Sequence, residues 1–220
     1  MPAVIAGFYG KLPARGDFVR SGLPRDFTDP WDAWLAQAIA GSRTRMGDDW
    51  LPAFLEAPVW RFVLAPGLCG ERAVLGLVLP SVDHAGRYFP LTFAALFDEG
   101  SAVADAAWLD RCEAAGRAAL EQDTAPDEIG AMLGMPVTAP CAVPAETGPL
   151  QSVWWTEGAP RVPATRFAIS GMPDACVYAT MLDAATAGDA DQAAQAAQTT
   201  KEWDPVSGTP TGGDPWEPPS

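Results

Sequence analysis

Hydrophobic and polar residues fall into blocks along the chain, and each block has its own period. Ala3–Gly10 (AVIAGFYG) is an apolar run ending in a glycine-rich turn, which predicts a first strand. Asp17–Gly22 (DFVRSG) sets Phe18 and Arg20 against Val19 and Ser21, a short second strand. At Asp29 the period becomes helical, with Trp31, Trp34, Leu35, Ala38 and Ile39 on one face. Asp29 reads as the N-cap, Pro30 as the first helical residue, and Asp32 as an acid near the positive end of the dipole. Gly41 or Gly47 can close this helix.

Three apolar runs bounded by Gly and Pro follow: Pro58–Pro66, Arg72–Ser81 and Tyr88–Phe97. With the turn Val82–Arg87 (VDHAGR) between the last two, they predict an antiparallel meander. Pro90 is expected near a strand start or on an edge, where its missing N–H removes no ladder bond. Residues 102–122 predict a second helix. Its inner face carries Trp108, Leu109, Cys112, Gly116 and Leu120, and its wet face Asp105, Arg111, Glu113 and Arg117. Pro126–Gly134 opens with a first-turn composition (Pro126, Asp127, Glu128) and predicts a short third helix. After a proline-rich connection, Met135–Pro149, the segments Leu150–Gly158 and Thr165–Ser170 predict a last strand pair. Trp154 and Trp155 are adjacent on a strand and must face opposite sides. Pro173–Thr186 predicts a closing helix.

The order β-β-α-β-β-β-α-α, then β-β-α, points to an α+β fold: a mostly antiparallel sheet flanked by helices. Its first eight elements follow the order of a longin- or profilin-like α/β/α sandwich with a C-terminal extension, an analogy of fold alone. One domain is expected over residues 1–187. From Gly188 the periodicity stops. Residues 188–220 combine Asp189, Asp191, Glu202, Asp204, Asp214 and Glu217 with much Pro and Gly, and are expected to be a disordered acidic tail.

Composition narrows the function. The chain has 220 residues, 48% of them hydrophobic, enough for a core without covalent staples. A formal net charge of -14 disfavours nucleic acid, whose phosphates need a basic stripe. The charge is uneven: within residues 1–45, Lys11, Arg15, Arg20, Arg25, Arg43 and Arg45 outnumber Asp17, Asp26, Asp29 and Asp32. A mildly basic segment on an acidic body suits an oriented protein partner. Cys69, Cys112, Cys141 and Cys176 form no C-x-x-C pair and His84 is the single histidine, so neither a metal site nor a cofactor is expected. No export signal opens the chain and no stretch approaches a membrane span. With free thiols, this gives the expectation of a cytoplasmic protein without membrane insertion.

Three kinds of chemistry can be tested against spacing. Gly7–Arg20 (GFYGKLPARGDFVR) is glycine-rich and basic, like a phosphate-cradling loop. That loop requires G-x-x-x-x-G-K-S/T, yet Gly7 and Gly10 stand too close, Leu12 replaces the hydroxyl residue, and Pro13 opposes the following helix. A permissive turn with an exposed basic rim is the better reading. Ser81, Asp83 and His84 have the residue types of a catalytic triad, but they sit in one turn, whereas a triad needs its base on a separate element. A polar turn explains them. Among carboxylates, Asp48 and Asp49 are adjacent and splayed, and Asp26, Asp29 and Asp32 are accounted for by helix-start duty.

The segments GFYGKLPARGDFVRSGLP, PWDAWL, APVWRFVLAPGLCG, PSVDHAGRYFPLT and SVWWTEG together resemble the TagF/ImpM family of type VI secretion-associated proteins. The resemblance spans roughly residues 5–185 and rests on several long motifs in order. It implies a cytoplasmic accessory protein of a contractile secretion machine, acting as a post-translational repressor. It implies work in or beside a threonine-phosphorylation circuit with a kinase, a phosphatase and a forkhead-associated scaffold protein. Matching residues that packing explains least are Lys11, Arg15, Asp17, Arg20 and Arg87, the expected protein-binding residues of an Arg-rich rim for an acidic or phosphorylated partner.

The first reading is therefore a non-enzymatic regulator that binds the scaffold protein, or another component of the secretion membrane complex. The alternatives are a hydrolase centred on Ser81–His84, which requires a buried His84, or on a carboxylate cluster, and a small-ligand sensor, which requires a preformed apolar pocket.

Overall fold

The computed structural model describes residues 4–13, 15–97, 106–122, 124–133 and 150–187. The start of the predicted second helix (102–105), the Met135–Pro149 connection and the acidic tail lie outside the described residues. The chain divides into two units, Met1–Ala187 and Gly188–Ser220.

Seven strands form the first unit's sheet: β1 Val4–Gly10, β2 Val19–Ser21, β3 Trp60–Leu64, β4 Ala73–Leu79, β5 Leu91–Phe97, β6 Gln151–Thr156 and β7 Thr165–Ser170. Their order is β2-β1-β5-β4-β3-β6-β7, and every neighbouring pair is antiparallel. The described helices are α1 Arg25–Met46, α2 Trp50–Leu55, α3 Ala106–Glu121, α4 Pro126–Leu133 and α5 Ala175–Leu182. The fold is α+β, and the predicted elements occur in the predicted order with one helix, α2, added between α1 and β3.

Two apolar layers sit on the sheet because its central strands β4 and β5 are buried at every position. In β4, Val74 and Val78 join one layer, and Leu75, Leu77 and Leu79 the other. The first layer is aromatic. Phe27, Trp31 and Leu35 of α1, Phe54 of α2 and Tyr178 of α5 pack with Trp60, Phe62 and Trp154. The Trp31 ring lies 4.8 Å from that of Phe62, and its indole N–H donates to Thr92 Oγ1 at 2.9 Å. The second layer sets Trp108, Leu109 and Cys112 of α3 and Ile129 of α4 against Phe8, Leu75 and Phe93. Trp154 belongs to the first layer and Trp155 borders the second, as adjacent strand positions require.

Two helices differ from expectation. α1 starts at Arg25 rather than after Asp29, so Asp29 is no cap and Pro30 lies within the second turn. The carbonyl of Pro24 accepts the N–H groups of Phe27 and Thr28, and buried Phe27 stacks on Trp31 at 5.6 Å. The apolar face thus extends one turn earlier than the capping residues suggested. α2 was not anticipated. Its Pro52 falls in the first turn, where the missing N–H would have had no helical partner. Pro90 immediately precedes β5, the strand start expected for it.

Candidate functional site

The glycines of the opening segment serve close backbone approach. A Cβ at Gly7 would stand 2.0 Å from the carbonyl oxygen of Ser21, and one at Gly10 would stand 2.2 Å from that of Pro90. Gly10 also has φ of 145°, which side chains other than glycine's rarely adopt. β1 is therefore pinned between β2 and the entry to β5, and the chain leaves it as the turn around Lys11–Arg20.

That turn rests on the loop Ser81–Phe89. Ser81 Oγ donates to the Lys11 carbonyl at 2.6 Å, and the His84 N–H donates to the Arg15 carbonyl at 3.1 Å. Arg87 Nη2 donates to the Gly16 carbonyl. At the centre is Asp83, whose side chain is fully buried. Its Oδ2 accepts from Lys11 Nζ and, at 2.7 Å, from Arg87 Nε. Its Oδ1 accepts the backbone N–H groups of Ala85 and Arg87, each at 2.9 Å. Burial alone would raise the Asp83 pKa. The hydrogen bonds from Lys11 and from the backbone and guanidinium of Arg87, with the charge of Lys11, outweigh it and hold the carboxyl well below the usual range.

The sequence placed Lys11 on an exposed rim, but its residue is only 5% exposed. The buried carboxylate draws the ammonium inward, and Nζ sits 4.7 Å from the centre of the Phe18 ring. Lys11 supports the rim from beneath. Arg15, Asp17, Arg20 and Arg87 are exposed. Arg15, Asp17 and Arg87 belong to the two bonded loops, while Arg20 stands on β2 in register with Tyr9. The site residue that sequence reasoning left out is Phe18. It is 46% exposed, stacked on Tyr9 at 5.5 Å and edge-on to Phe89 at 4.8 Å. The signal was present, since Phe18 shares its strand face with Arg20, but alternation read it as a strand residue only.

Beside Phe18 lies an open polar groove of about 350 Å³, lined by Tyr9, Arg20, Arg25, Thr28, Asp29 and Asp32. The Tyr9 hydroxyl donates to Asp32 Oδ1 at 2.6 Å. Burial raises the Tyr9 pKa most. The hydrogen bond and charge of Asp32 and the charge of Asp29 add to this, while Arg20 opposes it.

The triad residue types do not form a catalytic line. Ser81 donates to a backbone carbonyl, both Asp83 oxygens are occupied by donors, and His84 is exposed. Among the described residues, no group of three or more His, Cys, Asp or Glu side chains is placed to hold a metal ion.

Residues 7–135 match the family model described as the TagF N-terminal domain, type VI secretion system-associated. This chain belongs to that family. The matched stretch includes the opening turn, the Asp83 loop and α3. The crystal structure of PA0076 from Pseudomonas aeruginosa PAO1, determined at 2.05 Å resolution, resembles this TagF-domain chain with a TM-score of 0.73 and 35% sequence identity. The likeness covers 81% of this chain and 94% of that one. No curated protein matches the sequence. The motif-based resemblance and the α+β fold are thus both confirmed for the TagF domain. Among its described residues, no helix is long and apolar enough to cross a membrane.

Proposed function

We propose that this TagF-domain protein is a non-enzymatic cytoplasmic repressor of type VI secretion that acts by binding a forkhead-associated scaffold protein of the machine. The reading rests on one observation: an exposed aromatic ring, Phe18, held by Tyr9 and Phe89 and carried on the same turn and bonded loop as the exposed cations Arg15, Arg20 and Arg87. Aromatic and arginine side chains on a rigid frame are the usual energetic anchors of protein interfaces. Such a surface fits a partner with an apolar socket bordered by acidic or phosphorylated residues. The buried Lys11–Asp83 pair, closed from the solvent side by Arg87, keeps the two rim loops in register without leaving the buried carboxylate unpaired. The bonds that occupy Ser81 and Asp83 favour a recognition surface over a hydrolase.

The test is genetic. Removing the protein raises secretion of a type VI substrate, and re-expression of the wild type, but not of Phe18→Ala, restores repression. Unchanged secretion in the deletion strain would defeat the repressor reading.

A further inference from the structure

A cavity of about 400 Å³ lies at the end of the sheet far from β2, on the face that carries α3. It falls within the size range of small-molecule sites, roughly 300–1,000 Å³. Its floor follows from strand register. Arg61 of β3, Trp155 of β6 and Arg166 of β7 are directly opposite one another and form a row on one face. Val63 and Val153 make the next apolar row, and Ala106 and Leu109 of α3 wall the cavity.

The polar groups here are almost all donors. Arg61 Nη2 is committed to Asp110 at 2.8 Å and Glu113 at 3.1 Å. Arg166 makes no ion pair among the described residues. Among the described residues the Trp155 indole N–H has no acceptor either, and none that lines the cavity is a carboxylate. A chain of net charge -14 thus presents a largely apolar hollow beside an exposed cation, Arg166, that has no ion pair among the described residues.

We infer that this cavity binds a small organic monoanion, with its apolar body against Trp155, Val63, Val153 and Leu109 and its anionic head on Arg166. The site is separate from the Phe18 rim and does not depend on the scaffold reading. The one guanidinium without an ion pair among the described residues matches one anionic head, while Arg61 is already held by Asp110 and Glu113.

The probe is 8-anilinonaphthalene-1-sulfonate, titrated by fluorescence into the full-length protein. Saturable one-to-one binding is expected. Arg166→Gln, at an exposed position, should weaken it about tenfold, and Ala106→Trp, which fills the mouth from the exposed start of α3, should abolish it. Leu55→Asp removes an exposed apolar residue on α2 and should leave binding unchanged. Displacement by decanoate assigns a chain-like body, and displacement by 1-naphthoate alone assigns an aromatic one. Absence of saturable binding overturns the inference. So does binding that Arg166→Gln leaves intact, whatever the folding of Ala106→Trp, or binding that only Leu55→Asp removes.

Discussion

Lys11 and Asp83 are 72 positions apart in the chain, yet the lysine ammonium donates directly to the aspartate carboxylate inside the protein. This bond fastens the turn after β1 to the loop before β5, and Arg87 completes it from the solvent side. Lys11 thus acts on the surface through its carboxylate partner. Lys11→Met should lower the melting temperature by about 5 °C or more, because it strips a buried carboxylate of one of its two cations. Thermal unfolding followed by circular dichroism checks this, and an unchanged melting temperature would refute it.

The same carboxylate sets an acid limit. A pKa depressed on folding gives stability that is fully present above the unfolded carboxylate value, about 3.9, and is lost as pH falls towards the folded value. Urea midpoints should therefore fall between about pH 5 and pH 3. In Asp83→Asn, destabilised throughout, that fall should be shallower. Parallel curves for the two proteins would show that another group controls the acid limb.

The glycines of the opening segment should separate by packing. Gly7→Ala places a methyl 2.0 Å from a backbone oxygen that cannot swing away, and should cost at least about 1–3 kcal/mol. Gly16 has open space around it and no positive φ, so Gly16→Ala should stay within about 0.5 kcal/mol of the wild type. Chemical denaturation of the two variants side by side decides the point.

Thiol reactivity should follow burial. Desolvation pushes the Cys69 thiol up to about 12, leaving little thiolate at neutral pH. Cys176 is partly exposed on α5. Ellman's reagent should modify Cys176 in the folded protein and Cys69 only on unfolding, with mass spectrometry identifying the site. Early labelling of Cys69 would show that its surroundings open.

Element order was legible because each run is short, strongly apolar and bounded by Gly or Pro. The start of α1 was misplaced because Asp29 and Pro30 imitate a cap, whereas burial of Phe27 sets the boundary. α2 was hidden by Pro52, which reads as a breaker away from a first turn. At the candidate site, the charged residues that packing explained least included Arg15, Arg20 and Arg87, which are exposed, but nothing in the sequence foresaw that Asp83 draws Lys11 inward. That pairing is a long-range contact with no local pattern. Phe18 shows the converse: alternation read it as a strand residue only, and its half-exposed ring, stacked on Tyr9 and edge-on to Phe89, emerges from the fold.

The central claim is that Phe18 and the rim arginines form a protein-recognition surface. The most direct test is calorimetric titration of the full-length protein against the purified forkhead-associated scaffold protein, phosphorylated and unphosphorylated. Phe18→Ala and the double variant Arg15→Glu/Arg20→Glu are run in parallel. The account predicts binding by the wild type and a loss of at least about tenfold in each variant, with melting temperatures preserved. Folded variants that bind as tightly as the wild type, or a folded wild type that binds neither form, would contradict it.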